Sequence, residues 1–360
     1  MIITKNLHLK NLKRFRVAEG RNLEKGLRLD RNEKVDLWPK NFIHDVLKKK
    51  PSSFFSTYPE IVNLYKKISK FDKVKEEQIL ITSGIDGSIK NILSLLTKPN
   101  DLIAVLSPTY AMYEVYSKIF KLRLFKINYT KDYEVKKEEL DKFFKLRPKF
   151  LFLPNPNQPI ENTFGKKELI NLAKRCKKIN CFLVVDEAYH HFGSQTAVPL
   201  IKRFNNVIVL RTFSKAFGVP SIRAGYTLSN KNNMQIISKA RIAHELSSVS
   251  IAVAEYLLDN YSLVKKNCKK ITYSRKIIKE KLKQLGLKCR SKFGNFILIK
   301  FNNLDEAERV VKFLRKKLIY VKGPYKKPWN SYINISIGPL NVMKRFLFEL
   351  KKAKKRKLFN

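Results

Sequence analysis

Seven short apolar runs recur between residues 79 and 230, and stretches with a helical period separate several of them. The runs cover 79–84, 102–108, 123–129, 150–156, 182–188, 206–212 and 224–230. Runs that are apolar on both faces predict buried strands, because an exposed strand face would carry polar side chains. Helical periods over 85–98 and 166–180 lie between them. This alternation predicts an α/β fold with a mostly parallel, seven-stranded sheet between helices.

The last third of the chain has a different pattern. A long helical region, roughly 232–284, precedes a strand-like run over 292–301, a helical period over 305–317, a second run over 332–338 and a final helix over 340–353. This order predicts a smaller α+β domain. We therefore predict three parts: an N-terminal segment (1–40) that joins the small domain, a large ligand-binding domain (41–255) and a C-terminal small domain (256–360).

The chain has 75 Lys and Arg residues but only 30 Asp and Glu residues, a formal net charge of +45. Clustered basic side chains neutralise phosphates, so one interpretation is a protein that binds nucleic acid or an anionic surface. The lysines, however, recur singly or in pairs within amphipathic stretches such as 166–180, and only 351–357 resembles a basic tail. This distribution favours solvated helix faces over a nucleic-acid site.

Cysteine usage and hydropathy limit the cellular setting. Cys176, Cys181, Cys268 and Cys289 show neither metal-ligand spacing nor a dense disulfide pattern, so we expect reduced thiols, no metal site and a cytoplasmic protein. The first residues lack the long apolar core of a signal peptide, and no window has 18 uninterrupted apolar residues. Secretion and membrane insertion are therefore not expected.

Polar residues interrupt the apolar runs where the predicted strands end, and ligands of open α/β sheets gather at these ends. The turn 83–87 follows one strand and opens a helix, so its backbone N–H groups can hold a phosphate or simply cap the helix. Asn157 follows another strand, in a turn that Asn and Pro both favour. Asp186 ends an apolar strand, where a buried carboxylate needs a cationic partner from a salt bridge or from a ligand.

Lys215 follows the next strand, and Arg223 precedes the last one. A lysine at the mouth of a crevice, with its pKa lowered, is the residue type that forms a Schiff base with a carbonyl compound. Tyr189 lies three residues after Asp186 and can point into the same crevice. Each of these signals is weak alone, and their combination is more specific.

Asn157, Asp186, Lys215 and Arg223 occur in the order, spacing and strand-end context of the class I/II aminotransferases, which are pyridoxal-phosphate enzymes of fold type I. The resemblance covers most of the chain. Within that family, the chain resembles most the histidinol-phosphate aminotransferase branch. The motifs that carry the resemblance are LDRNE (29–33), STYP (56–59), SPTYAMY (107–113), NPNQP (155–159), VVDEAY (184–189), RTFSKAFGVPSIRAGY (211–226) and GNFILIKF (294–301).

The resemblance implies roles around pyridoxal 5′-phosphate (PLP). Lys215 would form the Schiff base and move the proton during amino transfer, and Asp186 would keep the pyridine nitrogen protonated. Asn157 and Tyr189 would hydrogen-bond the 3′-oxygen of the ring. Tyr110 would stack on the ring face, although core packing is the alternative for this side chain.

The same resemblance implies how the cofactor phosphate is held. Backbone N–H groups, hydroxyls and a guanidinium would surround it, from Ile85, Asp86, Ser214 and Arg223, with Thr212 as a further candidate. A tyrosine corresponding to Tyr58 reaches the phosphate of the neighbouring subunit in this family. The resemblance therefore implies a homodimer with shared active sites.

The substrate side departs from the family pattern. Relatives usually present an arginine in a strand of the form R-I-S-x-G, where this chain has Asn334, and a second arginine is replaced near Lys322. Neither side chain can form a guanidinium fork. We predict substrate contacts from Asn32, Asn334 and Lys322. Further basic candidates for a phosphate-bearing substrate are Arg28, Arg31 and Lys326.

The sequence thus predicts a PLP-dependent aminotransferase that moves an amino group between a glutamate-type donor and a small phosphorylated acceptor in a biosynthetic pathway. A PLP-dependent amino-acid-phosphate decarboxylase is the alternative that would use the same cofactor residues. A more distant alternative is a basic nucleic-acid-binding protein that has lost catalysis. Retention of both Lys215 and Asp186 argues against it.

Overall fold

The structure is a computed structural model that describes residues 8–9, 12 and 20–360, so the predicted N-terminal segment lies partly outside the described residues. Twelve strands and eleven α-helices occur in the described part. The strands are β1 (Leu27–Leu29), β2 (Ile79–Thr82), β3 (Leu102–Ser107), β4 (Arg123–Asn128), β5 (Phe150–Pro154), β6 (Phe182–Asp186), β7 (Val207–Thr212), β8 (Gly225–Leu228), β9 (Lys288–Arg290), β10 (Phe296–Lys300), β11 (Ile319–Val321) and β12 (Tyr332–Ser336). The helices are α1 (Phe42–Leu47), α2 (Val62–Asp72), α3 (Gly84–Leu96), α4 (Met112–Ile119), α5 (Lys137–Leu146), α6 (Lys166–Lys178), α7 (Lys231–Ile237), α8 (Ser248–Asp259), α9 (Tyr261–Gln284), α10 (Leu304–Lys316) and α11 (Leu340–Lys355).

Seven strands form the central sheet in the order β2-β8-β7-β6-β5-β3-β4. They coincide with the seven apolar runs, and the predicted α/β fold with a mostly parallel central sheet is confirmed. Strands β4, β3, β5, β6 and β7 are parallel, whereas β8 pairs antiparallel with both β7 and β2. Since β8 runs in the opposite direction, its first residues lie at the same edge of the sheet as the last residues of its neighbours.

Side chains of the central strands alternate between two apolar layers, one on each face of the sheet. In β6, Leu183 and Val185 pack into one layer and Val184 packs into the other, together with Ile89 of α3. Because both faces are covered, these strands are apolar at nearly every position. The first ionisable side chain of β6, Asp186, occurs only at the strand end.

The C-terminal part contains a three-stranded antiparallel sheet in the order β12-β10-β9. A parallel two-stranded ribbon, the β1–β11 ribbon, pairs residues 27–29 with residues 319–321. This ribbon attaches the described part of the N-terminal segment to the C-terminal part. The predicted domain boundaries themselves stay a prediction.

The helical region expected over 232–284 consists of three α-helices, because new helix starts interrupt it. The side chain of Asn230 accepts a hydrogen bond from the backbone N–H of Asn233 and so caps α7, and Ser247 caps α8 through the N–H of Ser250. The strands β1, β9 and β11 have three residues each and were not predicted. Runs of this length carry too few residues for a hydrophobic period.

Two searches of the described residues are negative. None of the helices described here is long and apolar enough to cross a membrane. Likewise, no group of three or more His, Cys, Asp or Glu side chains within residues 8–9, 12 and 20–360 is arranged to hold a metal ion.

The first residue of β8, Gly225, packs directly against the start of α3. A Cβ atom on Gly225 would lie 2.7 Å from the backbone oxygen of Arg211 and 2.8 Å from the Cα atom of Gly84. Both atoms belong to the backbone and cannot move aside as a flexible side chain would. The close approach of β7, β8 and α3 at this edge therefore requires glycine at position 225.

Gly225→Ser is expected to lower the free energy of unfolding by about 1–3 kcal/mol, because the added side chain forces backbone shifts. Urea unfolding followed by circular dichroism measures this loss. The same substitution at Gly165 serves as the control, since a Cβ there would meet only a side-chain oxygen of Glu168 at 3.4 Å. Gly165→Ser is expected to change stability by less than about 0.5 kcal/mol. Equal losses in the two variants would contradict the packing argument.

Candidate functional site

A cavity of about 940 Å³ opens at the edge of the central sheet where β5, β6 and β7 end and β8 begins. The predicted cofactor residues in its wall are Ile85, Asp86, Tyr110, Asn157, Ser214 and Arg223. The predicted catalytic residues Asp186, Tyr189 and Lys215 line it as well, as do the predicted substrate residues Asn32 and Lys322. Residues far apart in the sequence meet here because parallel strands place their carboxyl ends at one edge.

Lys215 lies just beyond β7, at the wall of the cavity. Its Nζ donates to the backbone oxygen of Arg31 at 2.9 Å and lies 3.4 Å from that of Asn32. Burial lowers the pKa of Lys215 to about 8, and the positive charges of Lys322 and Arg223 act in the same direction. Lys215 is therefore uncharged in a larger fraction of molecules near neutral pH than an ordinary lysine, as a nucleophilic amine requires.

Asp186 is only 4% exposed and forms no ion pair with a cation among the described residues. The hydroxyl of Tyr113 donates to its Oδ2 at 2.6 Å, and the backbone N–H of Ala188 donates to its Oδ1 at 3.0 Å. Burial nevertheless raises the pKa of Asp186 to about 6, against the effect of these two donors. A cationic group in the cavity would be the missing partner of this carboxylate.

The adjacent carboxylate has such a partner. Glu187 accepts from the Nε of the buried Arg211 at 2.7 Å, and Arg211 also bonds Asp72 at 3.2 Å. Successive side chains of a strand point to opposite faces, so this network lies on the side of β6 away from Asp186. The protein thus neutralises one carboxylate internally and leaves the other facing the cavity.

Asn157 and Tyr189 lie on the same side of the cavity. Both amide hydrogens of Asn157 bind backbone oxygens, those of Pro108 and Ile160, each at 3.0 Å. The Oδ1 atom of Asn157 accepts from Thr109 at 2.6 Å. The Tyr189 hydroxyl accepts from Nδ2 of Asn32 at 2.8 Å and is almost completely buried. Their binding to a cofactor oxygen stays a prediction.

Tyr110 exposes 40% of its surface at the cavity, unlike the core aromatic residues. Its hydroxyl donates to Oδ1 of Asp86 at 2.7 Å, which fixes the ring above the start of α3. Its ring meets that of Tyr113 edge to face, with centroids 5.9 Å apart. Tyr110 is thus fixed in the cavity wall and partly exposed there, and stacking on a flat ligand, the role that the resemblance implies, stays a prediction.

The other end of the cavity wall can hold an anion. The helix α3 begins here, and its first residue, Gly84, has φ +74°. A Cβ on Gly84 would lie 3.0 Å from Nη2 of Arg223, so glycine lets this guanidinium approach the helix start. The hydroxyls of Thr212 and Ser214 lie 3.0 Å apart at the end of β7. A helix N-terminus, a guanidinium and two hydroxyls form a phosphate-binding arrangement.

Two predicted site residues do not line the cavity. Tyr58 is 79% exposed, and its ring stacks on that of His244 with centroids 4.4 Å apart. Asn334 is completely buried, and its Nδ2 donates to Oδ1 of Asn32 at 3.1 Å. Asn334 therefore does not reach the cavity itself, as the predicted substrate contact would require. It binds Asn32, which does line the cavity.

The additional basic candidates differ in their positions. Nη1 of Arg28 lies 3.2 Å from Oε2 of Glu33, and Lys326 is exposed and does not line the cavity. Arg31 lines the cavity, as Lys322 does. Arg315, which was not predicted, lines it as well. Arg315 comes from the end of α10, so no local motif could have indicated it.

Tyr113 was also missed by the sequence analysis, although it binds Asp186 directly. A signal was available, because Tyr110 and Tyr113 lie one helical turn apart in the motif 107–113. Residues with this spacing share a face and reach the same edge of the sheet.

Known proteins resemble this chain in both sequence and structure. Residues 24–347 match the family Aminotransferase class I and II. The histidinol-phosphate aminotransferase of Caldanaerobacter subterraneus subsp. tengcongensis is 30% identical over 307 residues, which cover 84% of this chain and 87% of that protein. The crystal structure of histidinol-phosphate aminotransferase from Sinorhizobium meliloti in complex with PLP is 25% identical, with a TM-score of 0.83 and 91% of each chain covered. L-Threonine-O-3-phosphate decarboxylase from Porphyromonas gingivalis, 20% identical with a TM-score of 0.73 over 90% of this chain and 99% of its own, shares the fold.

The raised pKa of Asp186 predicts how the stability of the ligand-free protein depends on pH. Because the folded-state pKa of about 6 exceeds the ordinary value of 3.8, the favourable contribution of the protonated form is complete below about pH 4 and is lost as the pH rises through 6. Asp186→Asn removes this dependence. The stability of the variant relative to wild type is therefore expected to rise between pH 4 and pH 7 by on the order of 3 kcal/mol.

Thermal or urea unfolding at several pH values measures this difference. Asp132→Asn is the control, since Asp132 is an exposed turn residue, and it is expected to follow the wild-type profile. A constant difference between Asp186→Asn and wild type across this range would show that Asp186 does not titrate as its burial requires.

Proposed function

The chain belongs to the class I and II aminotransferase family, and from this premise we propose that it is a PLP-dependent aminotransferase acting on a small phosphorylated substrate, with a glutamate-type amino donor. The observation that carries the proposal is that two residues line the same cavity. One is Lys215, whose pKa is lowered, and the other is the buried Asp186, which forms no ion pair with a cation among the described residues. Similarity to histidinol-phosphate aminotransferases supports the phosphorylated substrate and a biosynthetic role.

The residues present fit PLP. The buried carboxylate of Asp186 needs a positive partner, and a protonated pyridine nitrogen supplies one. The phosphate-binding arrangement at Gly84, Ser214 and Arg223 matches the charge of the cofactor phosphate, and the partly exposed Tyr110 in the cavity wall suits its ring. When bound, PLP supplies an aldehyde that condenses with amines and a ring that withdraws electrons from the adjacent carbon.

Each side chain then has a defined task. Lys215 would attach the cofactor through Nζ, and Nζ, once free, would take the proton from the substrate carbon that bears the amino group and deliver it to C4′ of the cofactor. Asp186 keeps the ring nitrogen charged, and Tyr113 stabilises Asp186 in its ionised form. Asn157 and Tyr189 would orient the ring through its 3′-oxygen, for which Asn157 would exchange one of its bonds to the backbone oxygens of Pro108 and Ile160.

The substrate phosphate would lie at the opposite end of the cavity, beside the β1–β11 ribbon. Lys322, which follows β11, lines this end together with Arg31 and Arg315. Partial desolvation lowers the pKa of Lys322, whose ammonium faces the cavity and forms no ion pair with a carboxylate within the described residues. A doubly charged phosphate would therefore find the ammonium of Lys322 available.

We also propose a homodimer with shared active sites, in which Tyr58 reaches the cofactor phosphate of the neighbouring subunit. Exposed large apolar side chains occur along much of the described chain, and seven of them are Leu37, Ile43, Phe55, Tyr58, Val62, Ile236 and Ile242. Such side chains are typical of a surface covered by another protein.

The free thiols support a cytoplasmic location. The domain boundaries proposed above, 41–255 and 256–360, complete this description.

The proposed reaction is tested by loading the protein with PLP and adding glutamate, glutamine, alanine or phosphorylated amines one at a time. At least one amine is expected to convert the bound cofactor to its pyridoxamine form, as seen by absorbance, with release of the matching carbonyl product. Release of carbon dioxide without that conversion would favour the amino-acid-phosphate decarboxylase instead. No spectral change with any amine would contradict both reactions.

Lys215→Ala is expected to reduce amino transfer by about 10³-fold or more, since it removes the acid–base group. Borohydride reduction followed by mass spectrometry is expected to find a cofactor adduct at position 215 in wild type and none in the variant. Lys231→Ala, which changes an exposed lysine, is the control and is expected to retain the adduct. An adduct at another lysine in wild type would contradict the assignment of Lys215.

Lys322→Met is expected to raise the KM for a phosphorylated substrate about tenfold or more, because a charge-assisted hydrogen bond is worth roughly 1.5–3 kcal/mol. Steady-state kinetics with the phosphorylated substrate and with its unphosphorylated analogue separate the phosphate contact from other effects. Lys326→Met, at the exposed lysine nearby, is expected to leave both KM values unchanged. A similar rise in KM for the two substrates would argue against a phosphate contact at Lys322.

A further inference from the structure

Asn32 connects the C-terminal sheet to the cavity through both its backbone and its side chain. Its backbone N–H donates to Oγ of Ser336 at 2.8 Å, and its backbone oxygen accepts from Nδ2 of Asn295 at 3.0 Å. Its Oδ1 accepts from Nδ2 of Asn334 at 3.1 Å and from Oγ of Ser336 at 3.4 Å, while its Nδ2 donates to the hydroxyl of Tyr189 at 2.8 Å. The side-chain amide is thus held between two residues of β12, of which Asn334 makes the shorter bond, and the predicted catalytic residue Tyr189.

This arrangement fixes the direction of a proton on Tyr189. An amide oxygen only accepts and an amide nitrogen only donates, so the donation from Asn334 to Oδ1 turns the nitrogen of Asn32 towards Tyr189. A hydroxyl that accepts from Asn32 must point its own proton elsewhere. That proton has no acceptor among the described residues, and Tyr189 lines the cavity. The Tyr189 hydroxyl is therefore presented to the cavity as a donor.

The buried amide of Asn334 is expected to lower the free energy of unfolding, so a role other than stability would explain an asparagine at this position. The side chain is completely buried in β12, and its Oδ1 has no hydrogen-bond partner among the described residues. A buried unpaired acceptor typically costs about 1–3 kcal/mol, whereas an apolar side chain of similar size would cost nothing of this kind. The contact that asparagine provides and leucine would not is the donation to Asn32.

We propose that Asn334 and Asn32 form a positioning relay that directs the hydroxyl proton of Tyr189 into the cavity, towards the 3′-oxygen of the bound cofactor. The relay rests on the proposed function, since it acts on PLP. Asn334 and Asn32 are positioning residues in this scheme, because only Tyr189 touches the cofactor. Position 334, where relatives place an arginine, then serves the cofactor side of the site in this chain.

The relay predicts the ionisation of the bound cofactor. Donation from Tyr189 stabilises the deprotonated 3′-oxygen and so lowers the pKa at which the cofactor spectrum changes with pH. Asn334→Leu removes the shorter of the two donations to Oδ1 of Asn32 and leaves only the 3.4 Å contact from Ser336, so the amide is held less firmly. The spectral pKa is then expected to rise by roughly 0.5–1 pH unit, the equivalent of one neutral hydrogen bond. Thermal stability of the variant is expected to equal or exceed that of wild type, because the unpaired oxygen is removed.

Other charged groups also face Tyr189, and the test must not disturb them. These groups are Asp186 at the end of β6, Glu161 in the loop after β5, and Lys215, whose Nζ lies 5.9 Å from the ring centroid. Asn334→Leu changes none of these charges and introduces no new one. A shift in the spectral pKa can therefore be assigned to hydrogen bonding.

Asn295→Leu is the matched control. Asn295 is also buried, also has an unpaired Oδ1 and also donates to Asn32, but to the backbone oxygen rather than to the side chain. It is expected to leave the spectral pKa within about 0.2 unit of wild type, well below the value of one hydrogen bond. A second comparison uses Tyr189→Phe, in which Asn334→Leu is expected to have no further effect, because the relay ends at the missing hydroxyl.

Three results would overturn the relay: an unchanged spectral pKa in Asn334→Leu, an equal shift in Asn295→Leu, or a shift that persists in the Tyr189→Phe background. If Asn334→Leu does not fold, Asn334→Ala is used instead, because alanine is smaller and carries no side-chain donor. A wild-type protein that binds no PLP would overturn the proposed function together with the relay. Bound PLP with an unaltered spectral pKa in the variant would overturn the relay alone.

Discussion

The burial of one unpaired carboxylate is the constraint on which the site depends. In β6, alternate side chains enter the two apolar layers until Asp186 reaches the edge of the sheet, where burial raises its pKa to about 6. Glu187 binds Arg211 on the opposite face, in a network that Arg211 shares with Asp72, whereas Asp186 faces the cavity without a cationic side chain bound to it in the described part of the chain. A cavity with this charge favours a cationic ring nitrogen over a neutral ligand.

The same burial acts in the opposite direction on Lys215, whose pKa falls to about 8. An acid with a raised pKa and a base with a lowered one lie in a single cavity, a pattern that marks acid–base sites. The reversed strand β8 completes the pattern, because it brings Arg223 to the edge where the parallel strands end. Had β8 been parallel, its first residues would lie at the opposite edge and the phosphate end would lack its guanidinium.

The central sheet could be predicted from the sequence because its strands are buried on both faces and therefore apolar throughout, as in β5 and β7. Residues at the strand ends could be predicted for the same reason, since Asp186 interrupts such a run. The β1–β11 ribbon could not, because strands of three residues leave no period and its partners are nearly 300 residues apart in sequence. Nor could Arg315, which reaches the cavity only through the tertiary fold.

Asn334 lies in a strand, 332–338, whose sequence departs from the pattern R-I-S-x-G that the resemblance implies, and its side chain binds Asn32. It pairs with Lys322 across an antiparallel bridge, with N–O distances of 2.7 and 3.0 Å, so the two side chains lie on the same face. The arginine that the resemblance implies at 334 is absent here, whereas Lys322 across the bridge lines the cavity. An ammonium is a point charge without the planar fork of arginine. At position 322 the cavity therefore presents a point charge, whereas the planar guanidinium groups of this end come from Arg31 and Arg315.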